Sequence, residues 1–224
     1  MSSVSEITSG LGVVLGLGDS ILEGPGDGAY SVLPRPWAQW LAVALDVPYH
    51  GVAIPGITAP ELLREGLPRV AGRRYGLACV GIGTNDVRDP GWDASRYRAA
   101  LAQLLDGIDA ERTCVATVPH DLGRPRAGAK VSELGRIIRD EARAREAVVV
   151  DLDDLHGWRL VMPDAVHPTA LGQVEIADRA ARALGLDVLP SSLVEIRGGD
   201  VRHAVTRHAP MVVRDWRRRV QDRS

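Results

Sequence analysis

The sequence predicts an α/β protein built on a parallel sheet with helices on both faces. Two observations carry this. Five short apolar runs of strand length alternate with longer stretches of helical period, and the runs are apolar throughout instead of alternating with polar residues. Strands of that kind are buried on both sides, and the intervening helices are what buries them.

Each element follows from its own pattern. Residues 11–17 (LGVVLGL) form the first strand, and 37–45 (WAQWLAVAL) a helix. Residues 48–54 form a second, weaker strand. Thr58 opens the next helix with a capping box, in which Glu61 reaches back to the Thr58 backbone, and Pro60 sits in the first turn where a missing N–H costs little. Residues 77–82 (LACVGI) are the third strand, and 94–108 a helix with apolar spacing at Leu101, Leu104, Leu105 and Ile108. Residues 113–118 are the fourth strand, 131–145 a helix with a solvated arginine face, and 147–152 (AVVVDL) the fifth strand. A last helix over Ala170–Leu184 stops at Gly185, as a glycine after the final turn favours. The domain is expected to span 1–189. From Pro190 onward the pattern changes, and 190–224 reads as an extension whose short amphipathic helix (209–220, with Val212, Val213, Trp216 and Val220 on one face) packs on the domain.

In an open parallel sheet, ligands bind outside the carboxyl ends of the strands, so the residues just after each strand matter most. After the first come Asp19 and Ser20, after the second Gly56, after the third Gly83-Thr84-Asn85-Asp86, and after the fifth a loop with Asp164-Ala-Val-His167. A serine attacks a carbonyl when a neighbouring base takes its proton, and histidine suits that role near neutral pH. The Asp164-x-x-His167 spacing lets the carboxylate orient the imidazole. The Ser20 and Gly56 N–H groups and the Asn85 side-chain amide supply donors for an oxyanion. Each residue also has a plainer reading: Ser20 as a helix cap, Gly56 as a turn residue, Asn85-Asp86 as a turn or cap, and Asp164 with His167 as a loop pair. Their joint order, each after a strand, is what points to acyl transfer.

Competing motifs fail. Gly16-x-Gly18 lacks the third glycine of a dinucleotide fingerprint, since position 21 is isoleucine, and no P-loop exists. Ser20 does not sit in a G-x-S-x-G elbow. The remaining histidines lack metal-ligand spacing, with His120 a surface or core residue, and no metal or cofactor is expected.

These stretches resemble the blocks of the SGNH hydrolases, the GDSL esterase/lipase family. Gly18-Asp19-Ser20 with trailing Gly24 is similar to the first block, Gly56 in AIPGIT to the second, Gly83-Thr84-Asn85-Asp86 to the third and Asp164-Ala-Val-His167 to the last. Two positions depart from the family: Ile21 stands where leucine is usual, and Gly51 where an asparagine usually precedes the second block's glycine. The resemblance implies a three-layer α/β/α fold with a five-stranded parallel sheet in the flavodoxin-like order 2-1-3-4-5. It also implies Ser20 as nucleophile, Gly56 and Asn85 as oxyanion donors with the Ser20 amide, and Asp164 and His167 as the rest of a triad.

Composition bounds the partners. With 224 residues, 45% hydrophobic, 25% charged and a net charge of −2, the chain suits one sizeable domain and gives no electrostatic reason to bind nucleic acid. Cys79 and Cys114 lie in apolar runs and are expected to be buried free thiols. The first ten residues lack a signal-peptide pattern, and the first apolar run is too short to span a bilayer. A cytoplasmic hydrolase of small carboxylic esters is therefore expected, with thioesters and O-acetyl groups also within reach of the chemistry, and with no stable membrane association. Acyl transfer to an alcohol, or a silent binding module on the same fold, are the alternative functions. Acyl-chain length, leaving group and oligomeric state are not encoded in any pattern of the chain.

Overall fold

The computed structural model describes residues 12–24, 29–123 and 126–196, with Val205, Ala209, Val212 and Val213 beyond them. Strands β1 (Val14–Gly18), β2 (Tyr49–Ala53), β3 (Tyr75–Gly81), β4 (Ala110–Ala116) and β5 (Val148–Val150) form one sheet in the order β2-β1-β3-β4-β5. Every adjacent pair is parallel, which is the order and direction that the family resemblance implies. Seven helices are described: α1 (Ser20–Glu23), α2 (Trp37–Ala44), α3 (Ala59–Glu65), α4 (Thr84–Arg88), α5 (Ala94–Asp106), α6 (Ala129–Arg143) and α7 (Ala170–Leu184).

The layers follow from the pleat of the central strands, whose residues are all buried. Leu77 and Cys79 of β3 join Trp37 and Leu41 of α2 and Ile176 of α7 in one core. Their neighbours Ala78 and Val80 join Leu62 of α3, Leu101 and Leu104 of α5, and Ile137 of α6 in the other. Cys79 and Cys114 stand opposite each other in register, both buried and free, with their sulfurs 3.6 Å apart. The glycine stop holds: α7 ends at Leu184, and Gly185 adopts the left-handed conformation at φ 67°.

Strand starts differ from expectation where pairing overrides local pattern. β3 begins at Tyr75 and β4 at Ala110, because Tyr75 pairs with Ala110 and Leu77 with Arg112. The first half of β4 reads AERT and hides its strand character from an apolar scan. Arg112 is accommodated by donating from Nη2 to the Leu184 carbonyl at 2.6 Å, which satisfies an end group of α7. β5 keeps only three of its expected residues. Helices α1 and α4 span four and five residues, too short to show a period.

The helix expected over 209–220 lies outside the described residues except at Ala209, Val212 and Val213, and those two valines are exposed. Among the described residues, no helix is long and apolar enough to cross a membrane.

At the end of β1, Gly18 faces Gly81 of β3 in register. A Cβ on Gly18 would collide with the Gly81 carbonyl oxygen and lie 2.8 Å from Leu22 Cδ1. Gly18→Ala is expected to lower Tm by roughly 5–10 °C, the scale of overpacking at a site that cannot relax. Gly12→Ala, where no atom lies within 4 Å of the added carbon, should leave Tm within about 2 °C. Equal effects of the two changes would show that the contact does not constrain the strand ends.

Candidate active site

The strand order reverses between β1 and β3, and the residues that follow these two strands form the centre of the site. Asp19 leaves β1 with its N–H donating to the Gly81 carbonyl at 3.1 Å. Its Oδ1 accepts from the Ile21 N–H at 2.9 Å, so Asp19 is the cap of α1 and Ser20 is the first residue of that helix. The capping role that the sequence leaves open for Ser20 belongs to its neighbour, and the Ser20 hydroxyl is left for other work. Gly24 ends α1 at φ 74°, where any Cβ would run into Pro36.

Ser20 Oγ lies 3.0 Å from His167 Nε2. His167 Nδ1 lies 2.7 Å from Asp164 Oδ2. Asp164 Oδ1 accepts from the Val166 and His167 N–H groups at 2.9 and 3.1 Å, which closes a local turn. Ala165 sits in this turn at φ 55°, and its carbonyl accepts from the Gly123 N–H at 2.8 Å. The loop is tied at its base as well: Met162 N–H donates to the His167 carbonyl at 2.8 Å and Thr169 N–H to the Leu160 carbonyl at 2.9 Å. Thr169 then caps α7 by accepting from the Gly172 N–H at 3.1 Å. Asp151 and Asp153 are engaged elsewhere, by Arg139 at 2.8 and 2.7 Å. His120 is half exposed and lies 3.3 Å from Asp153.

Gly56 occupies the third position of a turn closed by the Ile57 N–H on the Ile54 carbonyl at 3.3 Å. With Pro55 second and Gly56 at φ 78°, it is a type II turn, which requires glycine there. Asn85 Nδ2 donates to the Ile57 carbonyl at 3.0 Å. Both oxygens of Asp86 accept from the Ala59 N–H, at 3.0 and 3.1 Å, and Glu61 accepts from the Thr58 N–H at 2.9 Å as the capping box predicts. Consecutive residues of α4 thus fix the loop that carries Gly56.

Two positioning residues escape a sequence reading. The sequence shows Asp86 only as a turn or cap, yet it caps a helix 27 positions away. Gln173, fully buried in α7, accepts from the Trp37 N–H through Oε1 at 2.9 Å and donates from Nε2 to the Ile21 carbonyl at 2.9 Å. The available clue is a glutamine amid the apolar face of α7, together with Pro36, which offers α2 no side-chain cap.

A profile of the GDSL-like lipase/acylhydrolase family matches residues 17–174. The chain belongs to that family. Membership makes it a GDSL-type hydrolase of carboxylic esters, within the SGNH superfamily. Among solved structures it is similar to LAE5, an alpha/beta hydrolase enzyme from the metagenome of Lake Arreo (19% identity over 79% of this chain and 95% of that one, TM-score 0.63). It is also similar to a catalytic mutant of Axe2, an acetylxylan esterase from Geobacillus stearothermophilus (20% identity, 80% and 95% covered, TM-score 0.63). A lipase/acylhydrolase from Enterococcus faecalis is a third (15% identity, 84% and 100% covered, TM-score 0.62). No curated protein sequence matches the chain.

The carboxylates of this GDSL-family site differ in the pH at which they ionise. Burial raises the Asp164 carboxyl, but the His167 ring and the Val166 and His167 amides outweigh it and hold the group below its ordinary value. Burial pushes Asp19 up to about 6, against the lowering pull of the Ile21 amide, the His167 ring and Thr84. Asp86 is likewise pushed up to about 6 by burial, in spite of its bond to Ala59.

For Asp19 the folded pKa lies above the ordinary 3.8, so the folded protein holds the proton more tightly. The group costs nothing below about pH 3, where both states are protonated, and costs about 3 kcal/mol above about pH 7, where both are ionised. An Asp19→Asn substitution keeps an acceptor for the Ile21 N–H and removes the charge. Between pH 4 and pH 7 the unfolding free energy of this variant relative to the parent should shift by about 2–3 kcal/mol in the variant's favour. A difference that stays constant across that range would contradict a carboxyl raised by burial.

Proposed function

We propose that Ser20 is the nucleophile of an acyl-enzyme mechanism, with His167 as its base and Asp164 as the orienting carboxylate. The observation that carries this is the unbroken hydrogen-bonded chain from Asp164 through His167 to Ser20. An ionised Asp164 only accepts, so the proton sits on Nδ1 and the Nε2 lone pair faces the serine hydroxyl. As Oγ adds to the ester carbonyl, its proton passes to Nε2 and the imidazolium is stabilised by Asp164. The tetrahedral oxyanion is met by the Ser20 N–H, which the first turn of α1 leaves without a helical acceptor, by the Gly56 N–H and by Asn85. Asn85 donates one N–H to Ile57, and the amide carries a second for the substrate. His167 then protonates the leaving alcohol, and a water attacks the acyl-enzyme by the same route. Small-molecule carboxylic esters are the substrate class, and no step calls for a metal or cofactor.

A fluorophosphonate probe is expected to label the protein, with labelling lost in Ser20→Ala while the circular dichroism spectrum is retained. Labelling that survives the substitution would sink the assignment.

Asn85 is assigned to the transition state because its partner oxygen is fully charged only there. Asn85→Ala should lower kcat by about 10²–10³ and leave KM within about threefold, with slow fluorophosphonate labelling at Ser20 retained. The rival role, holding the Ile57 carbonyl, would lower Tm and leave kcat of the folded fraction near normal. Measuring kcat, KM and Tm on one preparation separates the two.

A further inference from the structure

Next to Gly56 and Asn85 the surface sinks into a cavity of about 600 Å³ whose charged lining is Arg88, Asp89, Arg126 and Lys130. This lining runs against the chain as a whole, which carries a net charge of −2 and has its only lysine here. Arg126 is engaged with Asp121 at 2.5 Å, and Asp89 Oδ1 accepts from the Gly91 N–H at 2.6 Å. Arg88 makes no ion pair among the described residues. Lys130 donates only to a main-chain carbonyl, that of Asp89 at 3.3 Å. Counting Asp121, three cations face two carboxylates, and two of the cations are not committed to an anion. Lys130 is also the second residue of α6, whose N-cap Gly128 supplies no side-chain acceptor, so the positive end of a fifteen-residue helix adds to the field.

We propose that this cavity holds an oxyanionic group of the substrate, a carboxylate or phosphate a few atoms from the scissile ester, and thereby selects anionic esters over neutral ones. The inference rests on the reading of Gly56 and Asn85 as oxyanion donors, because those residues line both the cavity and the place where the ester carbonyl would be held. An arginine fork and a lysine point charge are the complement of such a group. The cavity is open, so exposed pairs contribute little each, and the selectivity expected is about threefold to tenfold in kcat/KM, strongest at low salt.

Two matched pairs of esters test this and locate the charge. Monoethyl adipate against ethyl hexanoate places the anion on the acyl side. The acetate ester of 3-hydroxypropyl phosphate against 1,3-propanediol monoacetate places it on the alcohol side. Hydrolysis is followed by pH-stat at about 20 mM and 500 mM salt, for the parent and for Arg88→Glu/Lys130→Glu. Expected is a preference for the anionic member in at least one pair, reduced at high salt, with the anionic-to-neutral ratio falling at least about threefold on charge reversal. A ratio that the reversal leaves unchanged in both pairs overturns the proposal while neutral-ester turnover leaves the hydrolase reading standing. Absence of turnover for all four esters together with absence of fluorophosphonate labelling overturns that reading, and this proposal with it.

Discussion

The site depends on how closely β1 and β3 approach at their carboxyl ends. Gly18 and Gly81 are paired there, and the Asp19 N–H continues the ladder one step further onto the Gly81 carbonyl. Only then does the chain turn into α1, which sets Ser20 at the first helical position, directly above the sheet edge. A side chain on Gly18 would meet the Gly81 carbonyl and Leu22 of α1, so the strand ends or that helix would have to shift. The first turn of α1 is also pinned from the opposite layer, because Gln173 of α7 holds the Ile21 carbonyl and the start of α2 at once. Burying an amide without partners costs free energy, and Gln173 is stable where it is because both ends are bonded. A serine on a four-residue helix would otherwise have little to hold it, since so short a helix has few internal hydrogen bonds.

The same logic explains the loops. Gly56 and His167 lie in connections and Asn85 in the short helix α4, and side-chain to backbone bonds tie the three segments in place. Asn85 and Asp86 reach from α4 to the start of α3, and Asp164 closes its own loop around His167. Charged or amide groups serve here because backbone N–H and C=O groups in irregular segments need partners.

How much of this is legible in the sequence follows from which interactions are local. The sheet and the five longer helices are readable because their cores repeat with the pleat or the helical turn, as in the Leu101, Leu104 and Leu105 stripe of α5. The four blocks that carry Ser20, Gly56, Asn85 and Asp164 with His167 are readable because strand ends punctuate the chain. The polar first half of β4 is not, because its strand character comes from pairing with β3. Nor are Gln173 and Asp86, whose partners lie 152 and 27 positions away. Pairings at that range leave no periodic trace in a single sequence.

His167 interacts with two carboxylates whose environments separate their behaviour. Asp164 accepts three hydrogen bonds and is held ionised well below neutral pH. Asp19 is fully buried with one main-chain donor on Oδ1, and burial holds its proton until about pH 6. Asp19 is fully buried whereas Asp164 is partly exposed and has more donors, so burial and donors together decide where each one ionises. The carboxylate that touches the imidazole is therefore already negative well below neutral pH. The one that does not touch it gains its charge only near pH 6. That division places a constant negative charge on the ring's Nδ1 side and a pH-dependent one at the cap of α1.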